Sequence, residues 1–151
     1  MTDTITKTTL INAPIENVWR AISDHREFGA WFKVDIDGPF VAGEKSTGKM
    51  TYPGFEGFPW LAWVTAVEEP NHLAFDWVPG EEVPDDPDNA ARTSVEFRLA
   101  PEGRGTRVTI TESGFERLPA EKRESVLRGN TEGWSIQAEN LREYAQARAE
   151  A

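Results

Sequence analysis

The sequence predicts an α+β fold in which an antiparallel sheet packs against a long C-terminal helix. Residues 40 to 112 contain short β-like runs separated by turn signals. Two short helical patterns precede these runs, and a longer helical pattern follows them. A chain of 151 residues suits one domain with a sizeable core, so residues 1 to 151 are expected to form a single domain.

The N-terminal segment predicts a strand and two helices. The run "TITKTTLINAP" is rich in Thr and Ile and ends at Pro14, which favours a strand followed by a helix. In "PIENVWRAIS" the apolar residues recur at helical spacing and form one face: Ile15, Val18, Trp19 and Ile22. Asp24 can then cap a second helix, "HREFGAWF", before Gly38 and Pro39 end the pattern.

The middle of the chain predicts an antiparallel meander. In "RTSVEFRLAP" and "GTRVTITESGF" apolar and polar residues alternate, which predicts one apolar and one solvated sheet face. In "HLAFDWV" the residues Leu73, Phe75 and Trp77 share a face. The run "WLAWVTAVEE" is ambiguous because it places apolar residues on both sides.

The last segment predicts a helix that starts at Pro119 and bears an apolar stripe. The stripe contains Trp134, Ala138, Leu141 and Ala145. Glycines at 129 and 133 each cost a helix about 1 kcal/mol relative to alanine. We therefore expect a kink or a restart near Gly129 and Asn130.

Composition excludes several classes of protein. A formal net charge of -10 argues against nucleic acid or an anionic membrane surface as a partner. The absence of cysteine excludes disulfides and thiolate metal sites. The start "MTDTITKTTL" lacks the features of a signal peptide, and no stretch is apolar enough to span a membrane. The expected location is the cytoplasm.

The sequence offers few catalytic or cofactor motifs. It contains no P-loop, no G-x-G-x-x-G and no G-x-S-x-G, so we expect no catalytic residues, no cofactor and no metal. His25 and His72 are interpreted as exposed residues next to turns. The acidic stretch from 79 to 91 lacks the ligand order of a calcium loop and is interpreted as a solvated flexible loop.

Several motifs together resemble one known family. They are "INAPIENVWRAIS" followed by "WF", then "HLAFDW", "TRVTITESGF" and "EGWSIQAENLREY". This combination, spread from Thr4 to Tyr144, resembles the homologues of the C-terminal domain of the activator of the heat-shock-protein ATPase. That family lies in the START-like SRPBCC superfamily, whose helix-grip fold curls a sheet around a C-terminal helix. The resemblance implies an apolar cavity between the sheet and the helix.

The resemblance implies that eight residues meet at this cavity. They are Trp31, Phe32, Phe75, Trp77, Phe97, Glu112, Gly133 and Trp134. Each aromatic residue has an alternative role as ordinary core. Glu112 continues the inward parity of its strand, but it could also lie at the strand end in contact with water. Gly133 either lets the helix approach the sheet or leaves room for a ligand.

The expected function is binding of a small apolar or aromatic molecule, without an assigned reaction. Two alternatives stay open. One is a chaperone-interacting module, since the resemblance implies that eukaryotic relatives stimulate a chaperone ATPase. The other is an enzyme similar to polyketide cyclases, which would need acid-base groups in the cavity, with Glu112 as the candidate. The oligomeric state does not follow from the sequence.

Overall fold

A computed structural model describes residues 4 to 80 and 84 to 149 of the chain. Seven antiparallel strands form one curved sheet in the order β1-β7-β6-β5-β4-β3-β2. The strands are β1 (Ile5–Ile11), β2 (Val34–Ile36), β3 (Lys45–Met50), β4 (Pro59–Glu68), β5 (His72–Trp77), β6 (Thr93–Glu102) and β7 (Gly105–Ser113). The helices are α1 (Ile15–Ser23), α2 (His25–Phe32) and α3 (Ala120–Ala149). This is the predicted α+β helix-grip architecture.

The two short helices begin where the sequence predicts. Pro14 precedes α1, whose buried face contains Val18, Trp19 and Ile22. Asp24 lies between the helices and caps α2, because its carboxylate accepts hydrogen bonds from the amides of Arg26 and Glu27. These bonds satisfy amides that the first turn of a helix leaves without partners.

Alternation in β6 and β7 places the predicted residues in the core. Val95, Phe97, Val108 and Ile110 are at most 1% exposed, whereas the residues between them face outward. Glu112 pairs with Val95 in the register of β6 and β7 and keeps the inward parity of its strand. The expected apolar inner face is therefore confirmed.

A bulge in β4 explains why its sequence is ambiguous. Val64 pairs with Phe75 and Ala66 with Ala74, so Thr65 is an additional residue on the β4 side. The extra residue reverses the parity of the strand. Trp60, Ala62 and Val64 are buried before the bulge, and Val67 packs against the core after it.

The C-terminal helix is continuous over 30 residues, from Ala120 to Ala149. The restart expected near Gly129 and Asn130 is therefore wrong. The predicted stripe is buried: Trp134, Ala138, Leu141 and Ala145. Burial of this stripe against the sheet outweighs the small helix propensity of two glycines.

The structure contains one strand that is not predicted from the sequence, and an ion pair holds part of the acidic stretch in place. β2 has only three residues, too few for a periodic pattern to be visible. In the acidic stretch, the Asp88 carboxylate lies 2.7 Å from Lys45 Nζ, while residues 81 to 83 lie outside the described residues. No helix in the described part of the chain is long and apolar enough to cross a membrane.

The cap at Asp24 predicts a stability change with a defined pH dependence. Partial burial opposes the charged form, but the hydrogen bonds from the Arg26 and Glu27 amides outweigh it, so the pKa of Asp24 lies below its usual value. Because the folded-state pKa is lowered, the stabilisation is present above the unfolded-state pKa and is lost as the pH falls through the folded-state pKa.

We expect Asp24→Ala to lower the free energy of unfolding by about 0.5 to 2 kcal/mol near neutral pH. Asp24→Asn is the matched control, because asparagine keeps an acceptor for the cap but cannot ionise. Urea denaturation at neutral pH measures the loss of the cap. The same measurement at acidic pH measures the contribution of the charge on Asp24. An alanine variant as stable as the wild type at neutral pH would contradict the assignment of this cap.

Candidate ligand-binding cavity

An apolar cavity of about 260 Å³ lies between the sheet and α3. Its walls come from the end of α2, the connection between β3 and β4, the segment after β5, and the middle of α3. This volume lies just below the usual range for small-molecule sites, about 300 to 1,000 Å³, so the cavity suits a small ligand. The cavity is therefore the candidate ligand-binding site of this protein.

Four aromatic side chains form the inner wall of the cavity. The indoles of Trp77 and Trp134 stack with ring centroids 5.7 Å apart and an interplanar angle of 30°. Phe32 lies 6.2 Å from Trp77 and 6.1 Å from Trp134. Trp60 lies 5.8 Å from Trp77 in an edge-to-face arrangement. These rings offer flat faces and edges, against which another aromatic ring packs favourably.

The rim of the cavity contains apolar side chains that solvent reaches. Tyr52, Phe55 and Phe58 come from the connection between β3 and β4, and Ile136 comes from α3. Phe55 is 42% exposed and Ile136 is 43% exposed. The connection is held in place by hydrogen bonds from Met50 N to the Phe58 carbonyl and from Gly57 N to the Met50 carbonyl. An apolar opening with this arrangement suits entry of an apolar molecule.

The carboxylate of Glu112 lies behind the two stacked indoles and is fully buried. Oε1 accepts hydrogen bonds from Trp134 Nε1 at 2.9 Å and from Asn130 Nδ2 at 2.9 Å. Oε2 accepts from Trp77 Nε1 at 2.8 Å and from Thr93 Oγ1 at 2.5 Å. The alternative that placed Glu112 in water at the strand end is wrong, because β7 continues to Ser113 and α3 covers its inner face.

The four donors to Glu112 come from three elements of the fold. Trp77 ends β5, Thr93 begins β6, and Asn130 and Trp134 lie one turn apart on α3. A buried carboxylate is costly unless donors replace its water. Both oxygens of the Glu112 carboxylate have donors, and hydrogen bonds to a charged acceptor are stronger than those between neutral groups. Glu112 therefore joins the helix to the sheet and orients both indoles.

The structure brings only half of the predicted site residues to the cavity lining. Phe32, Trp77, Gly133 and Trp134 line it, and Glu112 supports the wall from behind. The other three predicted residues lie in the core beyond the cavity: Trp31, Phe75 and Phe97.

The position of α2 explains why these three residues do not line the cavity. The inner face of the sheet is longer than the cavity, and the rest of it is covered by aromatic side chains of α2 together with α1, which packs on β6 and β7. Phe28 lies 4.8 Å from Trp31 and 6.2 Å from Phe97, and Trp31 Nε1 donates to the Ala21 carbonyl at 2.8 Å. The expectation that all eight residues meet at one cavity is corrected accordingly.

The aromatic residues of the rim and Asn130 are not among the residues predicted from the sequence. The stretch "TYPGFEGFPW" contains four aromatic residues among turn-forming glycines and prolines. Such a density of aromatic residues in a connecting segment is a signal that could have found the rim. Asn130 lies four residues before Trp134, on the same face of α3, so helical spacing alone places it at the cavity.

Gly133 leaves room in the cavity and does not serve close packing. A Cβ atom built at Gly133 meets no other atom within 4 Å, and the residue lines the cavity. The alternative in which Gly133 lets the helix approach the sheet is therefore wrong. Gly129 also has open space around it, but it is exposed and does not line the cavity.

His72 differs from its expected role as an exposed turn residue. Its side chain is only 15% exposed. Nδ1 lies 2.5 Å from a Glu68 oxygen and Nε2 lies 3.0 Å from a Glu96 oxygen. The cause is its place at the start of β5, where β4 and β6 flank it on both sides. Among the described residues no cluster of three or more histidine or acidic side chains is arranged to hold a metal ion.

A curved antiparallel sheet that encloses an apolar cavity against a C-terminal helix defines the START-like helix-grip class of the SRPBCC superfamily. The sequence model of one family in this class, described as Activator of Hsp90 ATPase homolog 1-like protein, matches residues 12–146. The chain belongs to this family. No curated protein matches the sequence at a significant level.

Solved structures with the same fold cover nearly the whole chain. The Bacillus halodurans protein BH1534 is 31% identical, with 96% of this chain and 99% of that chain covered and a TM-score of 0.71. A protein from Arthrobacter aurescens is 21% identical, with 97% and 87% covered and a TM-score of 0.78. DynU16, described as a putative protein in the dynemicin biosynthetic locus, is 21% identical with a TM-score of 0.75. This chain covers 49% of DynU16, and 99% of this chain is aligned.

The contacts of Glu112 predict a large effect of an isosteric change. In Glu112→Gln one acceptor oxygen becomes an amide group that can only donate, and it faces donors that then lose their partners. We expect the free energy of unfolding to fall by about 1 to 3 kcal/mol. Thermal melting measures the change.

Glu132→Gln is the matched control for the loss of one charge, because Glu132 is exposed on the same helix. We expect the free energy of unfolding of this control to stay within about 0.5 kcal/mol of the wild-type value. Equal melting temperatures for Glu112→Gln and the wild type would show that Glu112 does not hold the helix to the sheet.

Proposed function

We propose that the protein binds a small apolar or aromatic molecule in the cavity between the sheet and α3. The observation that carries the proposal is an aromatic-walled cavity into which no side chain projects at Gly133. A core optimised only for stability would fill such a space, since each unfilled methyl-sized volume costs about 1 kcal/mol. Residues 1 to 151 would act as one cytoplasmic binding domain.

The composition of the lining supports binding of a flat, apolar molecule. Seven of the lining residues in the described part of the chain are aromatic, and Met50, Leu61, Val78 and Ile136 add aliphatic surface. Small-molecule sites are concave, largely apolar, and contain a few polar groups that fix orientation. Here Asn130 and Gln137 supply amide groups.

The arrangement of Glu112 favours binding over the cyclase alternative. An acid-base catalyst must reach the proton that it transfers. The Glu112 carboxylate is fully buried, and its oxygens accept hydrogen bonds from four donor groups of the protein. The family description also names an activator of a chaperone ATPase, and contact with a chaperone is an alternative that rests on that likeness.

Binding predicts a change in tryptophan fluorescence. Trp60, Trp77 and Trp134 line the cavity, so a bound aromatic molecule should quench or shift their emission. A panel of phenolics, flavonoids and fatty acids provides the test, with melting temperature as a second readout. If no compound alters emission or melting temperature at high concentration, the cavity does not bind molecules of these classes and the proposal fails.

Filling the cavity from Gly133 should abolish binding while the fold is kept. A leucine at this position enters open space within the cavity. Leucine also has a higher helix propensity than glycine by nearly 1 kcal/mol. We therefore expect Gly133→Leu to melt no lower than the wild type and to lose affinity for any ligand found by fluorescence.

Gly129→Leu is the matched control. It makes the same substitution one turn earlier on the same helix, at an exposed position with open space around it. We expect this variant to bind as the wild type does. If Gly133→Leu binds a ligand with unchanged affinity, the ligand does not occupy this cavity.

A further inference from the structure

The polar side chains of the cavity lining differ in whether they have an atom left to form a hydrogen bond with a ligand. This inference rests on the proposed function and concerns the chemical class of the ligand. Trp77 and Trp134 donate their indole N–H groups to Glu112, and Trp60 Nε1 donates to Ser46 Oγ at 3.0 Å. The indole donors of the wall are therefore already engaged within the protein.

Gln137 is engaged at both ends of its amide. Nε2 donates to the Phe32 carbonyl at 2.8 Å, and Oε1 accepts from Asn140 Nδ2 at 3.1 Å. These bonds fix the orientation of the amide and connect α3 to the end of α2. Gln137 is therefore not the group best placed to recognise a polar atom of the ligand.

Asn130 differs, because one end of its amide is fixed and the other has no hydrogen-bond partner within residues 4–80 and 84–149. Nδ2 donates to both carboxylate oxygens of Glu112, at 2.9 and 3.2 Å. A carboxylate only accepts, so Glu112 requires the nitrogen of this amide to face it. Oδ1 makes no hydrogen bond with the described part of the chain. Because Asn130 lines the cavity, its oxygen is the candidate acceptor for a molecule bound there.

The charges around the cavity disfavour an anion. Every lining residue in the described part of the chain is uncharged, and the Glu112 carboxylate lies directly behind the two indoles. The chain as a whole has a formal net charge of -10. An anion in the cavity would lose its water without gaining a positive partner.

We propose that the cavity selects neutral aromatic molecules that carry a hydroxyl or N–H donor, which binds Asn130 Oδ1, over aromatic carboxylates of the same size. The Glu112 carboxylate sets this preference in two ways. It orients the Asn130 amide so that an oxygen is left for the ligand, and it adds a negative charge behind the wall.

Three probes of one ring system separate these contributions. They are 2-naphthol, which is neutral and donates, 2-methoxynaphthalene, which is neutral and cannot donate, and 2-naphthoate, which is anionic near neutral pH. Calorimetry on the full chain measures the affinities. We expect 2-naphthol to bind about 3- to 10-fold more tightly than 2-methoxynaphthalene, as one neutral hydrogen bond contributes. 2-Naphthoate should bind most weakly.

Two variants identify the acceptor. In Asn130→Ala the preference for 2-naphthol over 2-methoxynaphthalene should disappear, while binding of 2-methoxynaphthalene persists and shows that the cavity is intact. Tyr52→Phe removes a hydroxyl group at the rim, which is a second possible acceptor, and should keep the preference. If Tyr52→Phe removes the preference and Asn130→Ala keeps it, the assignment of Asn130 is overturned.

A pair of lysine variants tests the exclusion of anions. Ile136→Lys adds a cation at the rim of the cavity, and Ser135→Lys adds the same charge to the exposed neighbouring position on α3. Only Ile136→Lys should raise the affinity for 2-naphthoate, by about 10-fold, without improving binding of 2-methoxynaphthalene. Equal gains in both variants would show that the net charge of the chain, and not the cavity, disfavours anions.

The outcomes distinguish this inference from the proposed function. Equal binding of the three probes to the wild type would overturn the selectivity and leave the aromatic cavity as a binding site. Tightest binding of 2-naphthoate would overturn it as well. Failure of all three probes to bind would contradict the proposed function itself, together with the inference drawn from it.

Discussion

The structure depends on one buried carboxylate that joins the helix to the sheet. Glu112 has lost all contact with water, and its oxygens accept hydrogen bonds from β5, β6 and α3. A buried charge with this many donors is satisfied only when all three elements are in their native positions. The apolar stripe of α3 supplies most of the burial, but apolar contacts are not directional. The hydrogen bonds to Glu112 are directional, and they therefore define how the helix lies on the sheet.

The same contacts give the cavity its shape. An indole can slide and rotate in an apolar environment, but the N–H groups of Trp77 and Trp134 are held by one carboxylate. Their rings therefore stack at the inner wall, with Phe32 and Trp60 against them. A wall that is ordered before a ligand arrives costs less entropy on binding than one that must be assembled around the ligand. Stability and the proposed binding would thus depend on a shared set of hydrogen bonds.

Local patterns in the sequence were sufficient for much of the fold and for part of the site. Alternation in β7 placed Glu112 on the inner face, and helical spacing placed Trp134 and Leu141 on one stripe. The bulge at Thr65 and the run of α3 through Gly129 depend on tertiary contacts, which periodicity does not report. The same limitation applies to Phe75 and Phe97. Their inward direction was correctly predicted, but which part of the inner face α2 covers is a property of the assembled fold.

The placement of the cavity across the boundary between the sheet and α3 links occupancy to the integrity of the fold. A molecule bound there would touch β4, the segment after β5 and α3 at once, and an unfolded chain offers no such surface. By mass action, a ligand present at about 100 times its dissociation constant would stabilise the folded chain by about 2.7 kcal/mol. The abundance of such a protein in a cell would then follow the supply of its ligand, because the unliganded form is the one that unfolds and reaches proteases more often.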